Sequence, residues 1–470
     1  MIPLPPAQWA ELTFGSANLG DNRRTTRLVK VAADLSAHAG SSLAASCEGN
    51  LASVEGAYRL IENESVEAEA IAESGFQATT CVAKCSNLLL ALEDTTTLGY
   101  RHSVRSELGG LGGPKDSKTK GIWAHSVMLL DANTERTVGL IDQQRWVRDD
   151  EDRKKKNQCR QRPYEDKESF KWQQSSENIA CRLGDQLAKT ISVCDREADI
   201  FEYVQYKLDH NQRFVVRAAK NRLLIGESQL LFDALAAEPV LGKYTITVPQ
   251  RGGRKERKAT LQVKSKKVTI QSPQRLGGRL KPVTINILSA QEISDDIEDK
   301  LCWILLTTES IETFEDCRTV LRFYELRWRI EEFHKAWKSG VGVERLRMLC
   351  PDNLQRMAVI LMFVAVRLLQ IREALMLPYD RKNGKTWNEK TPANKVVSDD
   401  EWKVLWITKE NEPLPKKVPP LTWLFLTIAK LGGWYDSKRT GIPGWQAVWS
   451  GWAKLQDRVM TYRLTKAVEM

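Results

Sequence analysis

The chain has 470 residues, 42% of them apolar and 28% charged, enough for two to four globular domains that each bury a core. Lysine and arginine outnumber aspartate and glutamate by 70 to 60, and the net charge of +10 favours a polyanionic partner. Nine scattered cysteines without a CxxC pair suggest neither a zinc site nor a disulfide framework, and the opening MIPLPPAQWAELTFG lacks the basic-then-apolar order of a secretory signal.

The first 70 residues read as short helices. DNRRTTRLVKVAADLSAHAG starts at a capping Asp21 and closes at Gly40, with Arg23, Arg27 and Lys30 along one flank and Arg24 beside them. From Asn87 the apolar runs NLLLALED, WAHSVMLLD and RTVGLIDQQRW are separated by turn-rich segments, which predicts an antiparallel meander. A polar stretch over 148–176 is followed by a helix near 177–189, the strand TISVCD, the helix ADIFEYVQYKL and the strand RFVVRA. Three strands, helix, strand, helix, strand is the order of a ribonuclease-H-like sheet. The β-rich segment of about 239–308 reads as an inserted sheet. A Leu-rich helix then runs from Pro351 to about 373; its longest apolar run, 357–371, is interrupted by Arg367 and too short to span a bilayer comfortably, so a cytoplasmic protein is expected. A polar linker and a Trp-rich helical tail close the chain, where Trp445, Trp449 and Trp452 form an apolar stripe that is core or dimer surface.

Two aspartates close apolar runs, Asp94 after LLLALE and Asp195 after ISVC. Either could be a turn or cap residue, but a carboxylate at the end of a buried strand also faces the rim of a sheet, where ligands bind. In YELRWRIEEFHKAWK, residues 324–338, a helical period puts Tyr324, Arg327, Glu331 and Lys338 within an arc of roughly 60°. Phe323, Leu326, Ile330, Phe333 and Trp337 form a separate apolar stripe. An ordinary amphipathic helix with a solvated face gives the same pattern. Glu331 with the two aspartates supplies three carboxylates from two strands and a helix, the set needed to hold two hard divalent cations. Glu332 lies 100° round the helix and off the shared face.

The blocks ALEDTTTLGYRH, VCDREADI, YELRWRIEEFHKAWKSGVGVERLRM and LGGWYDSKRTGI resemble those of the DDE cut-and-paste transposases of bacterial insertion sequences, the insertion-sequence-four family, and most of all its Tn-five members. The most specific motif is Tyr-(2)-Arg-(3)-Glu-(6)-Lys. The resemblance implies an α/β fold: a ribonuclease-H-like catalytic core (71–373) with an inserted β-sheet (about 239–308), an N-terminal helical DNA-end-binding domain (1–70) and a C-terminal helical dimerisation domain (374–470). It maps the metal triad onto Asp94, Asp195 and Glu331, binding two Mg²⁺ that Mn²⁺ can replace, with Tyr324, Arg327 and Lys338 on DNA phosphates. Trp303 matches the family's base-flipping tryptophan and Arg27 a position on the transposon end. Arg23, Arg24, Lys30, Arg59, Arg217, Arg345, Arg347, Lys438 and Arg439 are further implied DNA contacts, each of which could instead be a solubilising surface residue.

The implied function is a metal-dependent DNA transposase that nicks a strand, forms and opens a hairpin, and transfers the end into target DNA. Its partners would be double-stranded DNA, as transposon end repeats and target, and a second copy in a synaptic homodimer; no membrane is expected. The alternatives are a non-catalytic DNA-binding regulator, or a tyrosine recombinase using Tyr324.

Overall fold

The structure is a computed structural model that describes residues 4–468 apart from 113–118, 149–161, 249–256, 275–279, 295–299, 376–378, 381–384, 387–390 and 438–442. Five helices open the chain: α1 (Pro6–Phe14), α2 (Asn22–Ala37), α3 (Leu43–Ser46), α4 (Leu51–Ile61) and α5 (Ala68–Ala83). Asp21 caps α2 as expected, its side chain accepting from the backbone N–H of Arg23. Then follow β1 (Leu89–Tyr100), β2 (Gly109–Gly110), β3 (Lys120–Asp131), β4 (Arg136–Trp146), α6 (Lys171–Leu183), β5 (Thr190–Cys194), α7 (Phe201–Asp209), β6 (Arg213–Arg217) and α8 (Leu231–Ala237). The strands β7 (Gly242–Val248), β8 (Arg257–Ile270), β9 (Val283–Glu292) and β10 (Cys302–Thr307) lead into α9 (Phe314–Leu326), α10 (Trp328–Lys335) and α11 (Pro351–Leu375). The chain closes with α12 (Asp399–Glu410), α13 (Leu421–Leu431) and α14 (Trp445–Val468).

One mixed sheet organises the molecule. β4, β3 and β1 are antiparallel neighbours, and β5 and β6 continue the order in parallel with β1. The 239–308 segment does not form a separate sheet. β10 pairs antiparallel with the free edge of β6, and β9, β8 and β7 extend the same ladder, so the edge groups of β6 are satisfied by Leu305, Leu306 and Thr307.

Three other local expectations shift. β1 does not end at Asp94 but continues to Tyr100, because Thr95, Thr96 and Thr97 suit a pleated strand and pair with His125, Ala124 and Trp123 of β3. The helix after the polar stretch begins and ends six residues earlier than 177–189, closed by Gly184 at φ +52°. The run 324–338 is not one uniform helix: Arg327 separates α9 from α10, and Ala336–Gly340 forms a π-turn.

The main core joins α1, α2, α4 and α5 to β1, β3 and β5 and to α9–α11. Gly75 lets α5 approach α11 closely, since a Cβ there would stand 2.2 Å from the Phe363 ring. α11 is the one described helix long and apolar enough to cross a membrane, but 89% of its apolar window is buried within the fold. Its Arg367 is tied to the Leu4 carbonyl at 2.7 Å and lies over the Trp9 ring. A separate core gathers the end of α11 with α12–α14.

Candidate active site

Strand register brings the two aspartates together. Leu92 of β1 pairs in parallel with Val193 of β5, so Asp94 and Asp195 lie two residues on along neighbouring strands. Cys194 pairs with Val216, which puts Arg217 beside Asp195 at the same rim. β10 runs back antiparallel with Leu305 opposite Arg217, so Trp303 and Cys302 also reach that rim. The Arg217 guanidinium donates to the Cys302 carbonyl at 2.9 Å.

Glu331 reaches the aspartates through Arg327. The Arg327 Nη2 lies 2.9 Å from Glu331 Oε1, and its Nη1 lies 3.7 Å from Asp94 Oδ1. The other Asp94 oxygen faces Nδ1 of His334 at 3.5 Å. Burial pushes the Asp94 carboxyl up, but the His334 hydrogen bond and the Arg327 charge outweigh it and hold it below the ordinary carboxylate value. Asp195 goes the other way, raised first by burial and further by the Asp94 charge, although its side chain caps the turn after β5 by accepting from the Glu197 N–H at 2.8 Å. Lys338, in the π-turn, is lowered by burial, which Glu344 and Asp94 oppose.

By chemistry alone, three carboxylate side chains suit a hard divalent cation. Among the described residues no three His, Cys, Asp or Glu side chains gather as a ligand set, and Arg327 reaches both Asp94 and Glu331. Glu332 is engaged elsewhere, with Arg329 and Arg372 each 3.0 Å from one of its oxygens.

Two family models match the ends of the chain: a transposase DNA-binding model over residues 6–66 and a Tn5 transposase dimerisation-domain model over residues 379–468. At both ends the chain is therefore similar to transposases, and at its C-terminal end to those of the Tn5 type. The matched segments point to DNA and a second copy of the chain as partners.

The predicted DNA contacts separate into groups. Within the matched DNA-binding segment, Arg27 of α2 lies over Gly56 of α4, and Lys30 donates to the Ser53 hydroxyl at 2.7 Å. Arg23 and Arg59 are exposed, Arg23 being paired with Asp21 at 2.9 Å, while Arg24 donates to the Leu19 carbonyl. Arg345 and Arg347 are exposed near the π-turn, and Arg345 donates to the Gly40 carbonyl at 3.2 Å, joining the N-terminal helices to the segment after Lys338. Lys438 and Arg439 lie outside the described residues. Tyr324 does not share an open polar face with Arg327: its ring is only 7% exposed and meets Trp303 edge-on at 5.8 Å.

Sequence reasoning passed over His334. It sits three residues after Glu331, so helical spacing alone places it beside that residue's face. Sequence reasoning also passed over a buried polar group on the opposite face of β1 and β5, where Glu93, His125 and Lys207 are almost fully enclosed. Period-2 alternation along β1 predicts that Glu93 faces away from Asp94.

Proposed function

We propose that this transposase, as a member of the insertion-sequence-four family, performs cut-and-paste transposition at one ribonuclease-H-like site: nicking, hairpin formation, hairpin opening and strand transfer. The observation that carries this reading is the convergence of Asp94 and Asp195 from adjacent parallel strands with Glu331, through Arg327, between segments that match DNA-binding and dimerisation domains. The strand order β4–β3–β1–β5–β6, three antiparallel and two parallel with α6 and α7 in the connections, supports the ribonuclease-H-like assignment. The same reading divides the chain at 1–70, 71–373 and 374–470.

Asp94, Asp195 and Glu331 would hold two Mg²⁺ ions, which Mn²⁺ could replace; when bound, such ions lower the pKa of water or hydroxyl and neutralise phosphate charge. Arg327 is positioned to exchange its carboxylate partners for a phosphate oxygen, and Lys338 adds a second positive charge on the same side of the sheet rim. Trp303, half-buried at that rim, offers an indole face on which a flipped base stacks. Arg27 and its neighbours hold the transposon end, target DNA enters the same rim, and a synaptic homodimer brings two ends together in the nucleoid-associated cytoplasm.

The tyrosine-recombinase alternative needs a hydroxyl that reaches phosphate, and the buried Tyr324 ring argues against it. A non-catalytic regulator leaves the placement of Asp94 and Asp195 side by side at one rim unexplained. The test is to incubate the protein with a DNA carrying both ends of its element, in Mg²⁺ or in Ca²⁺. Double-strand breaks at the ends in Mg²⁺ alone are expected; binding without breaks in either would support the regulator.

A further inference from the structure

We infer that His334 is a positioning residue for Asp94: its Nδ1–H fixes the carboxylate in the orientation that metal binding uses. This rests on the proposed role of Asp94 as a metal ligand. Nδ1 lies 3.5 Å from Asp94 Oδ2, at the outer limit of a hydrogen bond, and such contacts in ligand-free sites are commonly long and tighten on loading. The His334 side chain is only 8% exposed, and its Nε2 is buried without a hydrogen-bond partner, so Asp94 is the polar group the ring addresses.

Packing on the far side sets that aim. Phe333 stacks on Trp337 with centroids 5.8 Å apart and planes 16° apart, and the Trp337 indole N–H donates to the Ala358 carbonyl of α11 at 3.1 Å. The Trp337 hydrogen bond ties this segment to α11, so α10 cannot rotate without breaking it. Arg327 faces Oδ1 and His334 faces Oδ2, so the two oxygens of Asp94 are held apart by donors seven residues apart in the chain, with Glu331 between them. Arg327 can leave with an incoming phosphate. His334 is enclosed and stays, which makes it the fixed half of the clamp. Partners of this kind orient metal-ligating carboxylates, and losing one costs roughly ten- to a hundred-fold in metal affinity.

The test uses Mn²⁺ alone as probe, titrated into the full-length protein and followed by the electron paramagnetic resonance of free Mn²⁺, beside thermal melts. His334→Phe keeps a packed ring and loses the donor; His334→Asn keeps a donor and loses volume. The inference expects Mn²⁺ affinity to follow the donor, falling about ten- to a hundred-fold in His334→Phe and no more than about three-fold in His334→Asn. Affinity that follows volume instead, or stays at the wild-type value in His334→Phe, overturns it. Asp94→Ala separates the two levels: Mn²⁺ binding that does not depend on Asp94 removes the metal-ligand reading itself, whereas Asp94-dependent binding that His334→Phe leaves intact removes only the role of His334.

Discussion

Arg327 Nη2 stands 2.9 Å from Glu331 Oε1, one helical turn along, and the same guanidinium faces Asp94 at 3.7 Å. It supplies the positive charge these carboxylates need when no cation is bound. Removing one member of an enclosed charge group leaves the others uncompensated. Arg327→Ala should therefore lower the melting temperature in chelator, and added Mn²⁺ should raise it by more than in the wild type, since a ligand that binds only the folded state stabilises it. Equal Mn²⁺-induced shifts in the two proteins would mean that Arg327 and the cation do not share these carboxylates.

Trp303 separates chemistry from packing. Its ring is half-buried against Tyr324, and base stacking is worth roughly 1–3 kcal/mol. Trp303→Ala should nick the first strand at near-normal rate and form hairpin about ten- to a hundred-fold more slowly. A core role costs about 3–5 kcal/mol of stability and slows every step together. A time course that resolves nick from hairpin, with melts alongside, distinguishes the two.

Gly56 offers a way to move Arg27 without removing it. A Cβ at Gly56 would stand 2.5 Å from the Arg27 guanidinium carbon, the far end of a flexible side chain, so Gly56→Ala should shift the arginine at little cost in folding. Gel-shift titrations are expected to show weaker binding to the element's end than in wild type, with the melting temperature held. Unchanged end affinity would show that the seat of Arg27 on α4 has no part in recognition.

Lys207 gives a pH signature. Burial lowers its pKa, opposed by Glu93, while its ammonium donates to Ser192 at 2.9 Å and Gln212 at 3.0 Å. The unfolded chain therefore binds more protons between the folded value and the ordinary 10.5, and stability from this group rises with pH across that window. Melts taken as pH rises toward the ordinary lysine value should show the wild type gaining on Lys207→Met as the lysine discharges. Parallel curves would place the Lys207 titration outside that window.

The sequence carried the strand order, the α2 cap and the helix-borne Glu331, because each leaves a local mark: apolar runs, an Asp before a basic turn, a helical period. What it hid was non-local. Nothing in 239–308 says that its strands join β6 rather than one another alone, since edge pairing depends on which ladder is left open. The π-turn and the break at Arg327 have no composition signal, so Tyr324 was expected on the open face and is instead buried against Trp303. His334 was within reach of spacing, but only the position of Asp94 across the sheet gives it a partner.

The most direct test of the central claim compares Glu331→Gln with Glu332→Gln on a DNA carrying both ends of the element in Mg²⁺, scoring the first-strand nick and the melting temperature together. Glu331 faces the aspartates through Arg327, whereas Glu332 is held by Arg329 and Arg372. Glu331→Gln is expected to abolish nicking with folding intact, and Glu332→Gln to lower the melting temperature while the folded protein still nicks. Nicking retained in Glu331→Gln, or abolished in both with stability unchanged, would contradict the assignment of Glu331 to the catalytic triad.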